Sequence, residues 1–299
     1  MTQQRLKTQV LVIGAGISGS TSALTLADAG YEVTLIVPGK EMDGGNSALA
    51  QGGIVYRPDP DDAKDLEKDI LVAGHHHNYV KAVRHLCQHG PEAVERILME
   101  RAPIPFDRLD GKLDFTREGG HGKHRIVHCA DHTGKTIMEG LLQAVRMSPN
   151  IRILTGRTAV DLITTDHHAR YKEYRYQLDN QCLGAYVYNE DTKEVETLLA
   201  DFTVLATGGV GQIYLHTTNT AACTGSGIAM AQRAGVRLDN LEYVQFHPTT
   251  LYSRGRGRRF LISESVRGEG AQLINAAGER FVDELLPRDV VTAAIRAQM

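Results

Sequence analysis

Hydrophobic positions along the chain follow two periods. Val10-Leu11-Val12-Ile13 is a short unbroken apolar run, residues 22–29 carry apolar positions at helical spacing and close on Gly30, and a second apolar run covers 32–37. Unbroken runs of this length predict strands buried on both faces, and the order strand, helix, strand predicts a βαβ unit. The same reading predicts helices over 63–73, 79–88, 92–100 and 133–147, with Pro58 and Pro60 marking the turn ahead of the first. Strands are expected over 151–154, 158–163 and 184–188, then a buried strand over 201–209 ending in a glycine pair, and helices over 228–234 and 289–297. Residues 165–180 are polar and tyrosine-rich without a helical period, which predicts a surface hairpin or insertion.

The junction of the first strand and helix reads Gly14-Ala15-Gly16-Ile17-Ser18-Gly19. In a dinucleotide fold Gly14 permits the tight turn, Gly16 lets backbone approach a pyrophosphate, and Gly19 lets helix pack on strand, with the diphosphate at the positive helix end. The acidic residue expected at the end of the second strand is missing, because Val37-Pro38 stands there. That argues against a plain NAD site and leaves FAD open. Thr224-Gly225-Ser226-Gly227 opens a second helix with flanking glycines, suited to a phosphate or a flavin ribityl chain.

Two loops are chemically dense. Residues 43–54, rich in Gly, Asn, Ser and Ala, can wrap backbone amides around an anion or a flat ring. Arg117, Glu118, His121, Arg125 and His128 surround a Gly119-Gly120 hinge, which suits a polar, anion-binding cavity. His75-His76-His77 is expected to be a polar turn between helices, since consecutive side chains diverge. The basic tip 254–259, Arg256 included, is expected to be a mobile loop.

Composition bounds the function. In 299 residues, 42% are apolar and 23% charged, and 30 are glycines, the profile of a globular α/β protein. A net charge of -3 offers nothing to nucleic acid or an anionic membrane. Cys87, Cys129, Cys182 and Cys223 lie far apart and are read as buried small hydrophobes. A polar start running into the first strand, with no apolar run of bilayer length, predicts a cytoplasmic protein without a signal peptide.

Several motifs occur together in one order: 14–19, Ala50-Gln51-Gly52-Gly53, Arg117-Glu118-Gly119-Gly120-His121, Ala206-Thr207-Gly208-Gly209, Gln245-Phe246-His247-Pro248-Thr249, 264–270 and Pro287-Arg288-Asp289-Val290-Val291. Together they resemble the flavoprotein family of L-aspartate oxidases and the flavoprotein subunits of succinate dehydrogenase and fumarate reductase. The resemblance implies a Rossmann-like α/β FAD-binding domain over 1–241 and the start of an α+β capping domain over 242–299. It implies flavin contacts at Gly14, Ala15, Gly16, Ile17, Ser18 and Gly19, at Asn46, Ser47, Ala48, Leu49, Ala50, Gln51, Gly52 and Gly53, and at Val160, Thr207, Gly208 and Ser226. Asn46 stands where respiratory members carry the His that binds flavin covalently, so non-covalent FAD is expected.

The wording around Glu118 looks like the aspartate oxidase branch, in which this Glu is thought to face the substrate ammonium. His247, Ser263 and Glu264 are implied at one end of a four-carbon dicarboxylate, with Arg267 nearby. Arg288 resembles the family's active-site Arg, a poor base unless a carboxylate such as Glu264 relays the proton. The implied reaction is FAD-dependent oxidation of L-aspartate to iminoaspartate at the start of NAD synthesis. Electrons would pass to oxygen or fumarate, and the product to a quinolinate synthase. The alternatives are a soluble fumarate reductase with non-covalent FAD and a silent flavin-binding module. Two departures stand out: Ser226 replaces a common Asp and is expected to weaken FAD binding, and family members continue well beyond the position of Met299, which implies a partial capping domain here.

Overall fold

The computed structural model describes residues 5–56, 59, 62–168, 171, 173–255 and 257–299. Pro58, Pro60 and Arg256 lie outside the described residues. The first half contains β1 (Arg5–Ile13), α1 (Ile17–Asp28), β2 (Val33–Ile36), β3 (Ile54–Val55), α2 (Ala63–Ala73), α3 (Val80–Val94), β4 (Arg108–Leu109), β5 (Lys112–Leu113), β6 (Ile126–Val127) and α4 (Thr133–Met147). Then come β7 (Ile151–Leu154), β8 (Arg157–Thr164), α5 (Thr165–His168), α6 (Tyr174–Gln177), β9 (Cys182–Asn189), β10 (Val195–Leu205), α7 (Ser226–Arg233), α8 (Glu264–Gly268) and α9 (Arg288–Gln298). Among the described residues no helix is long and apolar enough to cross a membrane.

The chain divides into two compact units, Met1–Ala48 with Ile137–Glu242, and Leu49–Thr136 with Tyr243–Met299. The linear division expected at 241/242 is a proposal about domains; these units are discontinuous, with boundaries at 48/49, 136/137 and 242/243. They arise because residues 49–136 leave the sheet and form their own packed group with the C-terminal segment, a pairing remote in sequence and invisible to a linear reading.

The first unit is built on a six-stranded sheet in the order β7-β2-β1-β10-β9-β8. β1 pairs in parallel with β2 and β10, β2 pairs in parallel with β7, and β9 runs antiparallel to β10 and β8. Its core gathers Leu11, Ile13, Ile36, Leu162, Ala185, Val187, Leu198, Ala200 and Met230. β1 and β2 read as apolar runs because both faces are covered: Val10 to Ile13 and all four β2 residues are buried. The strand expected over 201–209 in fact covers Val195–Leu205, and Asp201 and Phe202 are exposed. Burial in this strand is concentrated at 196–200, where it pairs with β9 as well as β1. Within 165–180, expected as a surface hairpin or insertion, the described residues include two four-residue helices, α5 and α6.

In the second unit α2 and α3 pack through Leu66, Val83 and Cys87. The break expected between residues 88 and 92 is absent: α3 continues through Pro91 and passes into a π-helical stretch, Glu95–Arg101. Val83, Cys87 and Val94 lie on its buried side, so tertiary packing outweighs the lost proline hydrogen bond. His75 and His76 occupy left-handed turn conformations, φ 49° and 59°, between α2 and α3. The short strands β3 and β6 pair antiparallel, and a bridge between Thr116 and Ile126 closes the base of the loop 117–125.

Candidate active site

In the first unit the ends of β1, β2 and β10 and the start of α1 surround a cavity of about 690 Å³, in the usual range for small-molecule and cofactor sites. Its walls are mostly backbone and small side chains, including Gly14, Ala15, Gly16, Ile17, Ser18, Asn46, Ser47, Thr207, Gly208 and Ser226. Gly14 has φ +105°, and a Cβ there would collide with the Ala206 carbonyl; one on Gly19 would collide with the Gly14 carbonyl. Those two glycines therefore serve the close approach of turn, helix and strand. The N-cap of α1 is Gly16, which offers no side-chain cap, and Ile17 N–H takes Ser47 Oγ at 3.1 Å. The remaining N–H groups of the first turn have no intrahelical partner, and Gly16, Ile17 and Ser18 line the cavity, an arrangement that suits an anionic ligand.

Asn46 is committed within the wall. Its amide nitrogen donates to Asn219 Oδ1 and to Cys223 Sγ (2.9 Å), and its oxygen accepts Thr220 N–H at 2.8 Å. Sequence reasoning missed Cys223, Thr220 and Glu41, all of which line the cavity. Glu41 places a carboxylate five residues beyond the end of β2, off the motif position where Val37-Pro38 stands. Val160 has an exposed side chain, and the lining of that strand comes from Arg157, Thr158 and Ala159. The expected flavin loop is divided, Asn46 to Ala48 belonging to the first unit and Leu49 to Gly53 to the second.

The second unit carries a charged cluster. Glu264, buried at the start of α8, accepts Gly119 N–H on Oε1 at 2.9 Å. Its Oε2 accepts Nε and Nη2 of Arg288, both at 2.8 Å, and stands 3.6 Å from Arg267 Nη2. A Cβ on Gly119 would collide with Glu264 Oε1, so glycine is required for this contact. Arg288 is the first residue of α9, an unfavourable place for a cation, and Glu264 supplies the compensating charge. Arg288 Nη1 also donates to Gln245 Oε1 at 3.0 Å.

Arg267 is buried; Nη1 donates to the Glu284 carbonyl at 2.8 Å, while Nε and Nη2 make no hydrogen bond among the described residues. Burial lowers its pKa, with Glu264 opposing. His247 Nδ1 lies 3.0 Å from the Thr249 carbonyl and 3.3 Å from Thr249 N–H, so either neutral tautomer is served. Burial, then Arg288 and Arg267, push the His247 pKa down against the Thr249 hydrogen bond and Glu264. Ser263 precedes Glu264 and its carbonyl accepts Val266 N–H at 3.3 Å.

Glu118 Oε1 accepts Gly53 N–H at 3.3 Å and fills the space that a Cβ on Gly52 would take. Glu118, His121, His247, Glu264 and Arg288 thus belong to one unit, and the turn 118–121 links Glu118 to the Glu264–Arg288 pair through Gly119. Two of the expected loop donors are committed elsewhere. Arg125 is fully buried against Asp69 at 2.6 Å and Asp62 at 3.4 Å, and His128 stands between Asp107 (3.1 Å) and Asp114 (3.4 Å). A buried cation needs carboxylates around it, and Asp62 and Asp69 supply them for Arg125. Arg117 is exposed.

The chain matches a known family over almost its whole length. The family model described as FAD binding domain matches residues 9–299. The chain is 42% identical to L-aspartate oxidase of Pseudomonas aeruginosa, covering 99% of this chain and 56% of that one. It is 40% identical to L-aspartate oxidase of Clostridium acetobutylicum, covering 97% and 63%. Among solved structures, E. coli quinol fumarate reductase FrdA superposes with a TM-score of 0.85 at 26% identity, covering 98% of this chain and 51% of that one. Mycobacterium smegmatis Sdh1 superposes with a TM-score of 0.79 at 30% identity, covering 98% and 50%. The chain therefore spans little more than half the length of these relatives.

Proposed function

This chain belongs to the FAD-binding-domain family, among the flavoproteins related to L-aspartate oxidase and fumarate reductase, and on that premise we propose that it serves FAD-dependent oxidation of L-aspartate to iminoaspartate. FAD, when bound, supplies the hydride acceptor; the rest of the chemistry falls to the chain. The glycine-lined cavity fits the group, since it offers uncapped helix N–H groups for a diphosphate and the Glu41 carboxylate for ribose hydroxyls. The bond is non-covalent in this reading, because Asn46 has no nucleophilic ring nitrogen and its carboxamide is already taken up by Asn219, Thr220 and Cys223.

In the second unit Arg267 has two unused donors, and Arg288 has an exposed edge beyond its pairing with Glu264. These suit the carboxylates of a four-carbon diacid, with His247 as a neutral hydrogen-bonding partner. Glu264, touching both guanidinium groups, is placed to pass a proton between them. The observation that carries the choice of substrate is Glu118. Its carboxylate, seated on Gly53 N–H beside this basic cluster, suits the ammonium group of aspartate, whereas fumarate and succinate bring no cation to pair with it.

The test is direct. Purified chain should be yellow, release FAD on denaturation, show an intact mass without added flavin, and produce hydrogen peroxide from L-aspartate. Reduction of fumarate with no aspartate oxidation would reassign it as a soluble fumarate reductase. Colourless protein inert to both would leave only the fold. Delivery of iminoaspartate to a quinolinate synthase belongs to the same proposal and is read by quinolinate formed when the two proteins are mixed.

A further inference from the structure

Resting on the oxidase reading above, we propose that His121 is the general base that takes a proton from the substrate ammonium group, while Glu118 holds that group by charge. Nδ1 of His121 is buried and makes no hydrogen bond among the described residues. Buried ring nitrogens are rarely left unpartnered in a folded chain, and this one, three residues from Glu118, points to a missing ligand donor.

Backbone contacts fix the turn that carries the ring. His121 N–H returns to the Glu118 carbonyl at 3.2 Å, closing a turn whose Gly120 has φ +82° and whose Gly119 holds Glu264. Four charged groups act on the imidazole: Arg125, Asp69, Glu118 and Glu264. Burial is the main influence and lowers its pKa, Arg125 adds to this, and the three carboxylates oppose it. Burial therefore favours the neutral form of the ring, the form able to accept a proton.

Other groups nearby are committed: both Glu264 oxygens hold hydrogen bonds, Arg125 is paired with Asp62 and Asp69, and in the reading above His247 is the hydrogen-bonding partner of a substrate carboxylate. Glu118 holds Gly53 N–H and, in this reading, the ammonium charge, which leaves the His121 ring nitrogen to take the proton. An α-ammonium has no lone pair with which to form a C=N bond, so it must lose a proton before its carbon can be oxidised. In the transfer one substrate N–H bond breaks, the Nδ1–H bond forms, and the positive charge moves to the ring, where Glu118 and Glu264 offset it. A substrate without an amine never needs this step.

The experiment uses the FAD-loaded full chain and the variant His121→Asn, which keeps a polar group of similar reach and removes the base. At pH 7 kcat/KM for L-aspartate should fall about 10²- to 10⁴-fold, the usual worth of a positioned base. The loss should shrink as pH rises and free aspartate amine becomes available, while fumarate reduction should stay within about threefold. In the unmodified chain the ¹⁵N signal of His121 Nδ1 should titrate below the ordinary histidine value and shift on adding L-aspartate but not fumarate. An unchanged pH profile in the variant overturns the proposal, as does equal loss of aspartate and fumarate turnover, which marks a structural role. Unmodified chain that reduces fumarate but neither oxidises nor binds aspartate removes the oxidase reading, and this proposal with it.

Discussion

Replacing Glu264 by Gln should cost more stability than replacing Arg288 by Gln, although the two side chains form one ion pair. Glu264 is 7% exposed and its Oε2 serves both Arg288, which is 32% exposed, and Arg267, which is 3% exposed. Breaking a fully buried pair from one side costs about 3–5 kcal/mol, and an exposed pair contributes about 0–1 kcal/mol. Arg288 keeps access to water, so Arg288→Gln leaves Glu264 with Arg267 and Gly119 N–H and should cost about 1–2 kcal/mol. Glu264→Gln leaves the Arg267 guanidinium buried with only a carbonyl partner, and should cost about 3 kcal/mol. The double variant should cost about 1 kcal/mol less than the sum, because the shared pair is lost only once. Urea unfolding followed by circular dichroism, with midpoints compared at constant slope, measures all three. A larger cost for Arg288→Gln, or full additivity, would refute the assignment of Glu264 as the shared counter-charge.

Two other outcomes are expected. Glu118→Gln, which preserves shape and removes charge, should lower aspartate turnover by at least about a hundredfold while fumarate reduction is largely kept; equal loss of both would remove Glu118 as the ammonium contact. Glu284 is held down to about 2 from 4.5, chiefly by its hydrogen bond to Arg280, with burial opposing and Leu273 N–H assisting. Since its folded pKa is depressed, its stabilisation is complete above about pH 4.5 and drains away as pH falls toward 2, so Glu284→Gln should flatten that acid limb in a series of thermal melts.

Local sequence was enough for the elements whose chemistry is local. The run Val10 to Ile13, the glycines at 14, 16 and 19, and the helix patterns over 63–73 and 133–147 each report their own backbone requirement, since period and φ are properties of neighbouring residues. The candidate residues of the charged cluster were also legible, as motif members at 118, 247, 264 and 288. What the sequence could not decide was which charges remain available. Arg125 and His128 look like ligand donors in a linear reading, and only tertiary structure shows Arg125 paired with Asp62 and Asp69 and His128 standing beside Asp107 and Asp114. Conversely Glu41 and Cys223 carry no motif, and they reach the cavity because loops of different elements converge there. The same holds for α3, where packing of Val83, Cys87 and Val94 keeps a helix intact across Pro91. Propensity and motif act over a few residues and can be read in order along the chain; the state of a charge, and the continuity of a helix, depend on partners brought close only by folding.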